Sequence, residues 1–383
     1  MMSVQKGALK ELLEIPDRRD NPYVKKWHTD GKYVIGYMCN YVPEEIIWAT
    51  GMLPYRLEAR DCAQTDEADV WMHRFNCSYT RSILQLGLTG EYDFLDGICF
   101  LNGCDQMRRT YELLASKAAK KPMWQGMIAI PHYLGDNAFK WYKEELYNIK
   151  EDLRSYFGAK KVTDEELWDA IILYNKSRKL IGKLYDLRKE ENPRISGADA
   201  FKLTLAAFYM DRNIYNKLLE EALGEIEKRE PVSGYRARIM IGGSALDDPS
   251  FIELIEGRGG LVVTDTMCFG TRFFFDLVEE KDGDPMEALA KRYFYHNPCP
   301  RMVKEYGRRM EFTEDLARGA KVDGVILERM SFCDLHGVDS PTIAKDLETM
   351  GIPAMVLEKE YYMLPDVGRF QTRVEAFIER IEG

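Results

Sequence analysis

Basic charge is not in excess in this chain. Across 383 residues, 53 Lys and Arg stand against 63 Asp and Glu, a formal net charge of −10. A protein that tracks nucleic acid needs a basic face to neutralise phosphates, so nucleic acid is excluded as the main partner; a local basic pocket for a small anion is not. Long hydrophobic runs are missing as well. No stretch approaches the roughly 18 apolar residues of a membrane span, and the N-terminal MMSVQKGALKELLEIPDRRD lacks the apolar centre of a signal peptide. The expectation is a cytoplasmic protein with no membrane partner. The sequence has no G-x-x-x-x-G-K-S/T, so no ATP site is expected in this chain, and no G-x-G-x-x-G follows a strand pattern. G-x-S-x-G and H-E-x-x-H are absent too, which removes the usual signatures of triad and zinc hydrolysis. Histidines number only five.

Cysteine is present, at eight residues, but without a C-x-x-C pair. A disulfide framework is disfavoured in a reducing compartment, and a structural zinc site usually shows close pairs. The thiols are therefore core residues, catalytic groups or ligands gathered by the tertiary fold.

Three zones are readable along the chain. In residues 1–135, YVIGYM (33–38), FLDGICFL (94–101) and MWQGMIAI (123–130) read as buried strands, and PEEIIWATGM (43–52) as a helix closed by a glycine. Residues 136–235 are rich in Lys, Glu, Leu and Tyr at helical spacing; Thr163 with Glu166 makes a capping box, Gly158 stops the preceding helix and Ser196 caps a later one. In residues 236–383 the strand–helix alternation returns with ARIMIGG, GLVVTDTM, VDGVILERMSF and GIPAMVLE, and the amphipathic RFQTRVEAFIERIEG closes the chain. This pattern predicts an α/β fold: two similar parallel-sheet domains, Rossmann-like or flavodoxin-like, with a helical segment between them. One constant offset lays Gly36 on Gly242, Pro43 on Pro249, Gly51 on Gly257 and Cys62 on Cys268, as an internal duplication would. Two such sheets would share a cleft at their strand carboxyl ends.

Several cysteines follow strands: Cys39 in GYMCNYVPEE, Cys104 in CFLNGCDQMRR, Cys268 in TDTMCFGTR and Cys333 in MSFCDLHG. Cys77 and Cys299 lie in loop-like stretches beside helices, Cys99 sits inside an apolar strand as a core residue, and Cys62 is ambiguous. Dispersed thiolates of this kind can ligate an iron–sulfur cluster, and they can also simply pack.

The segments GYMCNYVPEEIIWATGMLP, NCSYTRS, YDFLDGICFLNGCDQMRR, SFCDLHGVDSP and GIPAMVLEKEY, in that order, resemble the 2-hydroxyacyl-CoA dehydratase / benzoyl-CoA reductase family over nearly the whole chain. The resemblance implies an iron–sulfur subunit paired with a homologous larger subunit. It also implies a separate ATP-hydrolysing iron–sulfur activator that delivers single electrons, and a CoA thioester substrate. The family's cluster ligands fall on Cys77, Cys104 and Cys333. TMCFGTRFFF and HNPCPRM look more like benzoyl-CoA reductase subunits than dehydratases. With Cys39, Cys268 and Cys299 added, the set resembles the double-cubane branch, in which two cubanes share a bridging sulfide. The cofactor implied is thus a 4Fe-4S cluster, or an 8Fe-9S double cubane if all six cysteines ligate. Three activities follow from the resemblance: reduction of an aryl-CoA thioester, radical dehydration of an (R)-2-hydroxyacyl-CoA, or double-cubane reduction of small molecules without CoA.

Other candidates are polar. Arg81 and Arg108 follow Cys77 and Cys104 and could meet a reduced cluster or a CoA phosphate; as charged residues they could equally be solvated. Glu328 precedes Cys333 in a strand as a candidate buried acid, and His336 follows it as a candidate catalytic group. Glu44 and Glu45 open a helix, where carboxylates are stabilised in any case.

Overall fold

The computed structural model describes residues 7–118, 123–280, 283–296, 299–362 and 366–383. Strands β1 (Val34–Tyr37), β2 (Leu53–Arg56), β3 (Gly97–Leu101) and β4 (Trp124–Ile128) make one sheet. Strands β5 (Ala237–Gly243), β6 (Gly260–Asp265), β7 (Gly324–Met330) and β8 (Ala354–Lys359) make the other. The orders are β2-β1-β3-β4 and β6-β5-β7-β8, with all pairs parallel. This is the expected fold class, and the shared order is that of the first strands of flavodoxin-like proteins. In each sheet the order reverses beside the first strand, which opens a crevice at the carboxyl ends of β1 and β3, and of β5 and β7.

β1 and β3 are buried throughout, as strands covered on both faces must be, so their sequences run apolar instead of alternating. β2 is not among the strands that the sequence predicts. Its Pro54 breaks the apolar pattern and lacks an N–H, which an edge strand tolerates. Gly243 ends β5 at φ +124°, and a Cβ there would lie 1.8 Å from the Glu328 carbonyl oxygen, so no other residue fits that exit.

The middle zone is helical, with long helices Asp136–Tyr156, Asp164–Lys189 and Arg212–Ile226 and the shorter Gly197–Ala206. The capping box forms as read: the Thr163 hydroxyl accepts from Glu166 N–H, and the Glu166 carboxylate accepts from Thr163 N–H. Ser196 caps its helix through Asp199 N–H at 3.1 Å. Buried ion pairs bolt this zone to the first sheet's helix Glu44–Ala49, Arg178 to Glu45 at 2.5 Å and Arg212 to Glu44 at 2.8 Å. Glu44 and Glu45 are structural anchors. The closing helix Val367–Glu382 buries Phe370, Val374, Phe377 and Ile378.

Candidate functional site

Three helices begin on a cysteine. Cys77 is the N-cap of Ser78–Thr89, Cys104 of Asp105–Leu113 and Cys333 of Asp334–Thr349. Cys104 and Cys333 occupy matching places, each at the turn after the second central strand of its sheet. The free N–H groups and partial positive charge of a helix start favour a thiolate there. Gln106 ties the three together. Its carboxamide oxygen accepts from Cys77 N–H, and its amide donates to the Phe332 carbonyl at 2.8 Å and to Asp334 at 3.1 Å. Phe332 holds φ +61° to aim Cys333 inward, and Cys39 holds φ +92° at the exit of β1. Such strained non-glycine residues persist only where the surroundings fix them.

Between the two sheets lies a cavity of about 130 Å³, lined by Cys39, Cys77, Cys104, Cys268, Cys299 and Cys333. Those are the six cysteines singled out by sequence. Cys99 stays in the core of β3, where burial pushes its thiol up to about 12. Cys62 donates to the Gln64 carbonyl at 3.2 Å, away from the cavity, so the match of Cys62 to Cys268 does not carry over to the site. The six thiols sort into two groups. Cys77 and Cys333 act on each other: Cys77, with the His336 N–H and the Ser244 hydroxyl, draws Cys333 below the usual thiol range, and Cys333, with burial, raises Cys77 above it. Burial lifts Cys104 to about 11, with the nearby Cys333 adding to it. On the other side, burial and then the charge of Cys299 lift Cys39 to about 11. Among the described residues, no group of three or more His, Cys, Asp or Glu side chains is arranged to hold a single metal ion.

Sequence reasoning missed the basic residues of this cavity. Arg56, Arg272 and Arg301 line it at 2%, 7% and 2% exposure. None has a carboxylate within ion-pair distance among the described residues, whereas buried Arg178 and Arg212 and half-buried Arg309 each have one. Arg56 donates to Asn40 at 2.7 Å and to the Cys268 carbonyl at 2.8 Å, and lies over the Phe269 ring. Arg301 donates to the Ile130 carbonyl at 2.9 Å. Spacing does not find them: Arg272 follows Cys268 by a few residues and Arg301 follows Cys299, but Arg81 and Arg108 follow their cysteines in the same way and lie outside the cavity.

The other sequence candidates lie as follows. Arg81 is outside the cavity and binds Asp69 at 2.7 Å, Thr65 at 2.8 Å and Glu360 at 3.4 Å, tying loop to helix and one domain to the other. Arg108 is exposed and faces Asp105 on its own helix at 3.4 Å. His336 lines the cavity; burial, with Arg272 and Arg309 nearby, holds its ring well below the ordinary imidazole value. Glu328 lies on β7 behind Cys333, fully buried, with Lys359 at 3.8 Å and neither carboxylate oxygen hydrogen-bonded. Burial, with Cys333 and Asp247 close and Lys359 opposing, raises its carboxyl to about 7.

Known proteins resemble this chain along most of its length. It is 30% identical to a benzoyl-CoA reductase subunit of Thauera aromatica over 84% of this chain and 83% of that protein. It is 25% identical to the (R)-phenyllactyl-CoA dehydratase beta subunit of Clostridium sporogenes over 97% of both. It is 26% identical to the beta subunit of (R)-2-hydroxyglutaryl-CoA dehydratase of Acidaminococcus fermentans over 93% and 94%. Residues 39–381, which run from the first cavity cysteine to the closing helix, match the family described as 2-hydroxyglutaryl-CoA dehydratase, D-component, and the chain belongs to that family.

Proposed function

We propose that this chain is the iron–sulfur subunit of a low-potential reductase acting on an aryl-CoA thioester, of the benzoyl-CoA reductase type. The six cavity thiols would hold the cluster. The observation that carries the reading is the cavity itself: six of eight cysteines face one space between the sheets, together with three buried arginines that lack carboxylate partners among the described residues. Thiolate is the ligand type of iron–sulfur clusters. Unpaired buried cations are costly unless an anion meets them, and a thiolate-ligated cluster is such an anion. A cluster bound there supplies one-electron transfer at low potential. The protein's own part is to aim the thiols from three helix starts, to balance their charge with Arg56, Arg272 and Arg301, and to keep His336 neutral. Glu328 can hold a proton behind Cys333.

The relatives are named as subunits, which supports a homologous partner subunit. An ATP-hydrolysing activator belongs to the same proposal. Two of those relatives are named dehydratases, which favours a second reading, a subunit of an (R)-2-hydroxyacyl-CoA dehydratase. Six thiols favour the double cubane over a single 4Fe-4S cluster within either reading, and they also keep open a reductase of small molecules that needs no CoA.

The test is anaerobic reconstitution followed by iron and sulfide counting. About eight irons per chain are expected; about four would reduce the site to one cubane, and none would remove the proposal. With the partner subunit, an activator and ATP present, a reductase consumes electrons in proportion to benzoyl-CoA converted. A dehydratase turns over an (R)-2-hydroxyacyl-CoA without net consumption.

A further inference from the structure

The two sides of the thiol cavity are not electrostatically alike. On the side of Cys77, Cys104 and Cys333 the lining carries Asp334, the neutral Gln106 and His336, and Arg301 reaches it only through the Gly103 carbonyl, at 3.4 Å. On the side of Cys39, Cys268 and Cys299 it carries cations. Arg56 reaches Cys268 through both its carbonyl, at 2.8 Å, and its sulfur, at 3.5 Å. Arg272 stands in the short helix Thr271–Phe274, just after Cys268 in the chain, and lines the cavity together with Cys268 and Cys299. Arg272 is 7% exposed, its Nε has no hydrogen-bond partner, and no carboxylate lies within ion-pair distance among the described residues. Among those residues the groups that can answer its charge are the thiols of Cys299 and Cys268 and the Tyr41 hydroxyl. A buried cation left so is costly unless an anion arrives to meet it.

We infer that Arg272 is a positioning residue for charge: it makes the Cys39–Cys268–Cys299 side of the cavity the side on which an added electron is held. The inference rests on the reading that these thiols carry an iron–sulfur group. A fixed cation favours the more negative, reduced state over the oxidised one, so it raises the reduction potential of whatever lies beside it. The polarity then runs one way, toward Arg272 and away from Cys77 and Cys333. In the titration that tests this, the electron is supplied by a low-potential one-electron reductant such as reduced viologen, and no other co-reactant is required.

The experiment compares wild type, Arg272→Met, Arg272→Lys and the exposed control Arg318→Gln, each reconstituted with iron and sulfide and titrated with electron-paramagnetic-resonance detection. Arg272→Met is expected to be reduced at least tenfold less readily at a given applied potential, a fall of about 59 mV for a one-electron couple. Arg272→Lys keeps the charge and stays near wild type, as does the control. The same proteins are melted free of metal. Metal-free Arg272→Met is expected to unfold at a higher temperature than metal-free wild type, because an uncompensated charge has gone. If Arg272→Met fails to take up iron, Arg272→Gln is titrated in its place, with the same fall expected and a titration that matches wild type overturning the inference. A loaded Arg272→Met that titrates with wild type overturns the inference. So does a metal-free Arg272→Met that is less stable than wild type, since the arginine would then be structural. Wild-type protein that takes up no iron overturns the reading under Proposed function instead, and the metal-free melts still decide whether Arg272 is an unanswered charge.

Discussion

At the scale of single residues, the eight cysteines divide by surroundings. Cys104 caps a helix, accepts from Met107 N–H at 3.4 Å and faces the cavity; Cys99 lies in β3 among apolar neighbours at 2% exposure. Replacing each by serine should therefore give opposite results. Cys104→Ser should lose iron and visible absorbance on reconstitution with little loss of stability. Cys99→Ser should keep the wild-type iron content but lose about 1–3 kcal/mol in urea unfolding, because a hydroxyl is buried without a partner. Full iron content in Cys104→Ser would strike it from the ligands. The division of the thiols was largely legible in the sequence, since a cysteine just after a parallel strand stands at a sheet edge where ligands collect. The arginines were not. Arg81 and Arg108 look as well placed in sequence as Arg272, yet Arg81 is neutralised by Asp69 and Arg108 is exposed. Whether a guanidinium is answered by a carboxylate depends on residues distant in the chain, and local spacing carries no trace of them.

At the scale of elements, apolar runs found seven strands and missed the edge strand β2, where Pro54 interrupts the pattern. Capping chemistry was read correctly because it is local: Thr163 and Glu166 contain their own hydrogen bonds. The close packing of β5 against β7 is not local. Gly243 pairs with Glu328 in the ladder and leaves no room for a Cβ. Gly243→Ala must either push β7 away or abandon φ +124°, so a loss of at least about 3 kcal/mol is expected in denaturant melts. Thr163→Ala, which removes only a cap, should lose about 1 kcal/mol. Equal effects from the two would show that the β5 exit yields more easily than its geometry requires. The Gly243 variant should also load iron poorly, since a shifted exit carries with it Ser244, whose hydroxyl accepts from Met330 N–H at 3.0 Å and which lines the cavity with Cys333.

At the scale of the whole molecule, the two sheets are joined across the cleft by a buried carboxyl. Asp247, fully buried in the loop after β5, accepts from Ala59 N–H at 2.7 Å and from the Tyr361 hydroxyl. Burial, followed by the negative charge of Glu58 and opposed by Tyr361, Ala59 N–H and Arg60, raises its carboxyl to about 7. The folded protein therefore binds this proton more tightly than the unfolded chain, whose aspartates titrate near 3.9. The resulting stability is complete below about pH 4 and is lost as pH rises through about 7, the reverse of an ordinary salt-bridged aspartate. One pKa unit corresponds to about 1.36 kcal/mol, so the loss is on the order of a few kcal/mol. Asp247→Asn keeps an acceptor for Ala59 N–H and cannot ionise. Its unfolding free energy, measured in urea at several pH values, should vary less than that of wild type between pH 5 and 8 and should exceed it at pH 8. Parallel curves for the two proteins would mean that Asp247 is ionised throughout, with Arg60 and Tyr361 supplying enough to hold it so. The joint between the domains would then be an ion-pair network whose contribution does not change between pH 5 and 8.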